Sequence, residues 1–314
     1  MVRAGLEPAV TGAIIETVTV FDERSLRRHP GPSEDFIQRL TGRRILAAVR
    51  RGKFLWLPLS GEDANSGGLA GSGLAGCGAA GSGDEPEALV AHLGMTGQML
   101  LRETPLPEDR LLRVGLHLDS PAKGKIRLDF VDQRIFGSMA IDQMVATADG
   151  QSAGLGHSAA LIPSQVAHIS RDPLDPAFSD RIFLKALGAR RTGIKRALLD
   201  QKLISGVGNI YADEALWAAK IHYAQPTASL SAAKASRLLA EVRAVLIRAL
   251  AEGGTSFDSQ YVNVNGASGY FSHSLQAYGR QGQTCSRCTR KIVRESFMNR
   301  GSHFCPFCQK IRPA

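Results

Sequence analysis

The sequence contains no run of 18 apolar residues, the length a membrane-spanning helix needs. Its first residues also lack the charged, apolar and small-residue succession of a secretory signal. The expectation is a cytoplasmic protein. Aromatic residues make up only 6% of the 314, with 44% hydrophobic overall, which suits a globular chain of two or three modest domains. No Lys or Arg occurs between residues 54 and 101. Cysteine is scarce as well. There are five, and four of them crowd the C-terminal tail, which in a reducing compartment argues for metal ligation rather than disulfides.

Positive charge is what the sequence has in excess. The net charge is +9. Residues 280–314 hold eight Lys/Arg (Arg280, Arg287, Arg290, Lys291, Arg294, Arg300, Lys310 and Arg312) against Glu295 alone. A concentrated basic face suits a polyanion such as nucleic acid, although a solvated charged face carries the same composition.

The first half reads as β. Residues 14–21 and 45–59 are rich in β-branched and aromatic residues, with a short helix at 34–40 between them. Val114, Leu116 and Leu118 alternate with other residues, as do Ile126, Leu128 and Phe130, and SPAKG separates the runs as a hairpin turn would. Residues 60–88 enclose a Gly-rich insertion around Cys77, expected to be a disordered surface loop. Residues 151–173 read as a linker. Helical spacing follows, with Ile182, Ala186 and Leu187 on one face of a helix over 179–187, a second helix over 194–204, a third over about 210–220, and a longer one capped by Ser231 and stopped at Gly253 and Gly254. The fold class is therefore α+β, with domains at 1–150, 174–278 and 279–314.

Cys285 and Cys288 form one CxxC pair and Cys305 and Cys308 another, 16 residues apart. This is the spacing of two knuckles around one tetrahedral Zn2+. Four thiolates leave no open coordination position, so the zinc is structural. The residues between the pairs, with Arg294, Phe297 and Arg300, read as a basic hairpin. Upstream, Gly206 and Gly208 bracket a turn that puts Asn209 at the start of a helix, where free N–H groups bind an anion. Read alone, Asn209 reads first as a plain helix cap, and Met95 and Phe136 read first as core residues.

Five motifs in order resemble the formamidopyrimidine-DNA glycosylase and endonuclease VIII family. They are RRGKFLWL (50–57), HLGMTGQM (92–99), DQRIFG (132–137), GVGNIYADEALW (206–217), and GYF with AYGRQGQTCSRC (269–288). The resemblance implies an N-terminal β-sandwich, a helix–two-turn–helix domain and a zinc finger, with duplex DNA in the cleft between the halves. It implies a monomer that finds and excises oxidised bases, purines such as 8-oxoguanine first, with oxidised pyrimidines the alternative. By motif, Met95 fills the gap left by a flipped base, Arg134 faces the orphaned partner base, and Phe136 wedges between base pairs. Lys53 and Arg300 stand in the catalytic centre as phosphate-contacting cations, Lys53 assisting elimination. Arg190, Lys195 and Asn209 are DNA contacts, and residues 262–270 match a loop over the everted purine. The family's chains open on Pro-Glu, the proline amine being the nucleophile and the glutamate the proton donor. This sequence opens on MVRAGL, which resembles the helix just beyond that pair. Two expectations follow: the natural start lies upstream, or the protein is a non-catalytic damaged-DNA binder.

Overall fold

The computed structural model describes residues 2–61, 85–103, 109–254 and 271–312. Cys77 and the expected purine-covering loop at 262–270 lie outside them. The N-terminal half begins with helix α1 (Val2–Val10), strand β1 (Ile14–Val20) and helix α2 (Ser33–Leu40). Strands β2 (Val49–Arg51), β3 (Phe54–Pro58), β4 (Glu87–His92), β5 (Gln98–Glu103), β6 (Leu112–Ser120), β7 (Gly124–Val131), β8 (Ser138–Ala146) and β9 (Leu161–Pro163) follow. They form two antiparallel sheets, ordered β1-β6-β7-β5 and β2-β3-β4-β8-β9.

Alternation explains why these sheets face each other. Val114, Leu116 and Leu118 of β6 and Leu128 and Phe130 of β7 point into one core with Leu55 and Leu57 of β3 and Met139 and Ile141 of β8. Leu6 and Val10 of α1 and Phe36 and Leu40 of α2 close that core at its edges. The result is the expected β-sandwich flanked by helices. The region at 45–59 is not one strand but a hairpin, because Gly52 takes φ +60° and pairs Arg51 with Phe54 across a two-residue turn. Strand β4 begins at Glu87, inside the stretch assigned to the Gly-rich insertion.

Residues 151–173 are not a free linker. Strand β9 adds to β8, and Ala153, Ile162, Val166 and Ile169 cover the second apolar face of the β2-β3-β4-β8-β9 sheet, where Val49, Phe54, Trp56 and Val90 would otherwise meet water. Burying that face is favourable at about 25 cal/mol per Å2, so the chain is held against the sheet.

The second half holds helices α3 (Asp180–Gly188), α4 (Ile194–Leu199), α5 (Asn209–Ala219) and α6 (Ala232–Ala251). Ser179 caps α3 and Ser231 caps α6, each accepting the N–H three residues on. Leu238, Val242, Val245 and Ala249 of α6 are buried as their spacing predicts, and Gly253 and Gly254 end the helix at positive φ. The inward face of α3 differs from expectation. Phe183 and Leu187 are buried, while Ile182 is 66% exposed. A polar seam joins the halves: Ser170 donates from N and Oγ to the Gln201 and Lys202 carbonyls, and Arg50 bonds Asp172 at 2.5 Å. A hairpin of β10 (Val293–Phe297) and β11 (Arg300–Phe304) follows. Among the described residues no helix is long and apolar enough to cross a membrane.

Candidate nucleic-acid interface and metal centre

The four cysteine sulfurs of the tail converge, all within 4.8 Å of one another. Each knuckle is tightened by its own backbone: Cys285 N donates to Arg290 O at 2.7 Å, and Gln309 N to Cys305 O at 2.9 Å. Burial and the adjacent thiols push Cys308 up to about 12. Four sulfurs this close suit one shared cation once deprotonated, and a tetrahedral zinc with bonds of ~2.3 Å fits the spacing. The knuckles dock on the end of α5. Trp217 packs beside Cys285, Ile292 and Cys305, and the Arg287 guanidinium lies 3.7 Å over the Trp217 ring while bonding the Trp217 and Ala218 carbonyls. A cation there also complements the negative end of the helix.

Helix α5 anchors the finger from its middle as well. Asp213 accepts the His303 backbone N–H at 2.9 Å and pairs with Lys195 at 2.6 Å. Glu214 accepts three backbone N–H groups, from Gln276, Ala277 and Tyr278, at 2.8–2.9 Å. Burial raises the Glu214 pKa, and those three donors oppose the rise.

The hairpin tip then falls where α5 begins. Met298 and Asn299 both take positive φ, the geometry of a type I′ turn, so Arg300 stands exposed directly after the tip. Asn209 Nδ2 donates to Gly301 O at 3.2 Å, tying the first turn of α5 to that tip. Of the two glycines before Asn209 only Gly206 has positive φ, +83°. A Cβ at Gly208 would meet nothing within 4 Å, which leaves the helix N-terminus open to an anion.

Lys53 occupies the tip of another two-residue hairpin, β2–β3, in the other half of the molecule. It is exposed, yet the surrounding protein and then the Arg300 guanidinium lower its pKa. The structure thus brings Lys53 and Arg300, 247 positions apart, into one electrostatic field. His92 belongs to the same field. Its ring is 4.7 Å from that of Phe54, and burial, followed by Arg28, Lys53 and Arg27, pushes it down to about 4, so it is a neutral imidazole.

Beyond His92 the chain turns through Gly94, at φ +59°, and holds Met95 out, 63% exposed. The 132–137 turn lies against it: a Cβ at Gly94 would be 2.6 Å from the Phe136 carbonyl carbon. In that turn Ile135 takes φ +53°, a costly conformation for a β-branched residue. Arg27 braces it by donating to the Ile135 and Phe136 carbonyls at 2.8 and 2.5 Å. Phe136 is left 51% exposed and Arg134 exposed beside it. Two large apolar side chains displayed on braced turns next to a cationic centre are suited to enter a base stack.

Two assigned DNA contacts sit differently. Lys195 is fully buried, its Nζ bonded to Gly301 O, Ser302 Oγ and Asp213, so it cannot touch DNA and instead fixes the finger from within. Arg190 pairs with Asp200 at 2.6 Å while remaining about one-third exposed. Sequence reasoning assigned no role to His92, although it is the first residue of HLGMTGQM. Nor did it single out Arg27 or Arg28, which lie in no motif.

Comparison with known proteins agrees with this architecture. The formamidopyrimidine-DNA glycosylase N-terminal domain matches residues 1–139, the formamidopyrimidine-DNA glycosylase H2TH domain residues 169–260, and the zinc finger found in FPG and IleRS residues 282–311. The formamidopyrimidine-DNA glycosylase of Leifsonia xyli is 58% identical over 311 residues, covering 99% of this chain and 97% of that protein. That of Kineococcus radiotolerans is 48% identical over 316 residues, covering 99% and 96%. Among solved structures, Lactococcus lactis Fpg bound to abasic-site DNA superimposes with a TM-score of 0.73 at 27% identity, covering 98% of this chain and 97% of that one. The four cysteines form one structural zinc site, and the chain belongs to the formamidopyrimidine-DNA glycosylase family.

Proposed function

We propose that this protein is a base-excision-repair DNA glycosylase and abasic-site lyase that acts on oxidised purines in duplex DNA, as a monomer, in the nucleoid-bearing cytoplasm. The observation that carries the reading is Lys53, within the electrostatic reach of Arg300, on the hairpin that accepts the Leu93 N–H at the base of the turns displaying Met95 and Phe136. The cations suit the phosphates flanking an extruded nucleotide, and the apolar pair suits the hole that extrusion leaves. Related protein supports it, since Lactococcus lactis FPG has been crystallised with abasic-site DNA and, as a mutant, with DNA containing Fapy-dG. The lowered Lys53 pKa enlarges the neutral fraction of its amine, which suits proton transfer during elimination. Arg134 faces the orphaned base, and Arg300 and Asn209 grip the backbone.

One observation favours a wider substrate range. The Lactococcus lactis protein has also been crystallised with DNA containing an oxidised pyrimidine. A panel of single-lesion duplexes separates the two ranges by rate.

The deciding experiment mixes the chain, with and without a preceding Pro-Glu-Leu-Pro-Glu-Val-Glu, with a duplex bearing one 8-oxoguanine opposite cytosine. Borohydride then traps any Schiff base. Trapping and strand cleavage by the longer form are expected. If neither form traps while both bind the duplex, the protein is a damaged-DNA binder without catalysis.

A further inference from the structure

The two displayed side chains are linked through one buried carboxylate. Asp132 is 1% exposed and lies beneath both turns. Its Oδ1 accepts the Thr96 hydroxyl at 2.5 Å and the Arg134 backbone N–H at 3.2 Å, and its Oδ2 accepts the Gly137 N–H at 2.6 Å. Thr96 follows Met95 directly, and Arg134 and Gly137 bracket Phe136. The same carboxylate therefore holds the turn that carries Met95 and the turn that carries Phe136. Gly94 closes the remaining space between them, since a Cβ there would strike the Phe136 carbonyl carbon and the Gly137 nitrogen.

From this geometry we infer that Asp132, through the Thr96 hydroxyl, is a positioning residue that makes Met95 and Phe136 act on DNA as a single rigid insert. The inference rests on the proposed damage-binding function. Within the 132–137 turn, Asp132 does local work: it satisfies two N–H groups and offsets the strain at Ile135. The Thr96 bond adds something separate. It crosses between turns whose other close approach is backbone against backbone, and it is the one side-chain hydrogen bond described between residues 94–97 and 132–137. A hydroxyl bonded to a buried carboxylate is short, strong and directional. With it in place, displacing one turn displaces the other. Without it, each side chain finds its own place in the DNA.

The consequence is readable as coupling. Residues that act as one unit have non-additive mutational effects, and independent residues have multiplicative ones. The test measures the Kd of the chain for a duplex holding a tetrahydrofuran abasic analogue and for the same duplex undamaged. Met95→Ala, Phe136→Ala and the double variant are compared in the wild-type and Thr96→Val backgrounds. With Thr96 present, the double variant should lose damage selectivity by at least about threefold less than the product of the single losses. In the Thr96→Val background the losses should multiply. Thr96→Ser, which keeps the hydroxyl, should restore the coupling, and Thr96→Ala, which removes the hydroxyl and adds no bulk, covers the case in which the valine variant does not fold. A 2-aminopurine opposite the abasic site should report the same split as fluorescence from the unstacked base.

Equal coupling with and without the hydroxyl overturns the inference and leaves the damage-binding reading intact. A wild-type chain that does not distinguish the abasic duplex from the undamaged one overturns both.

Discussion

Lys195 Nζ lies 2.6 Å from Asp213 Oδ1, and both side chains are sealed from solvent. The pair joins α4 to α5, and the Gly301 carbonyl and Ser302 hydroxyl on the same ammonium join both helices to the zinc hairpin. Lys195→Met strands the Asp213 carboxylate in the interior, and breaking a buried pair in this way costs about 3–5 kcal/mol. Urea denaturation should show that loss. Adding Asp213→Asn should recover part of it, and DNA affinity should fall because Arg300 is no longer held. An unchanged midpoint in Lys195→Met would show that the pair does not fasten the finger.

Removing the metal should act more locally. Cys288→Ala, or chelation of the intact protein, should abolish bound zinc by atomic absorption and weaken DNA binding by at least about tenfold, or ~1.4 kcal/mol. The sandwich, whose core shares no residue with the knuckles, should keep its cooperative unfolding. Full metal content in Cys288→Ala would reject the four-thiolate site.

His92 gives stability a pH dependence of known sign. Its pKa is about 4 in the folded protein, against roughly 6.5 in the unfolded chain. The unfolded state therefore binds the proton first. This contribution is fully present above about pH 6.5 and declines as pH falls toward 4. Denaturation at a series of pH values should show stability rising across that window, with a shallower slope in His92→Asn. Identical slopes would mean that the imidazole is not desolvated as the structure has it.

Salt should separate the gripping residues from the inserting ones. Each phosphate contact contributes a slope of about −0.9 to log K against log salt. Arg300→Ala should reduce the magnitude of the slope by about one and weaken damaged and undamaged duplexes alike. Phe136→Ala should leave the slope alone and reduce only the preference for damage. Titrations at several chloride concentrations, read by fluorescence anisotropy, check both.

Some of this was legible because local chemistry dictates it. Zinc demands four thiolates at fixed spacing, so Cys285, Cys288, Cys305 and Cys308 announce themselves. A half-buried hairpin demands alternation, so β6 and β7 do too. Lys195 misled because lysines usually face water, and what buries this one lies 18 and 106 positions away in Asp213 and Gly301. The α3 face misled because 182/186 and 183/187 are both helical pairs, and only the neighbours of Phe183 decide between them. Residues 151–173 carry no regular period since their order comes from the sheet they cover. The role of Asp132 was out of reach for the same reason: a carboxylate in a motif does not disclose that a hydroxyl 36 positions earlier will find it.

The anchoring of the finger on α5 also dictates an order of assembly. The bond from His303 N to Asp213 spans 90 positions, and that from Lys195 Nζ to Ser302 Oγ spans 107. Such distant closures are slow to form, and they need α4 and α5 already in register. Zinc can gather its cysteines locally, but a loaded knuckle has no fixed direction until α5 receives it. The Arg300 side chain that completes the cationic centre is thus carried on a segment made after the helix that seats it. The cationic centre is complete only when the zinc hairpin has docked on α5.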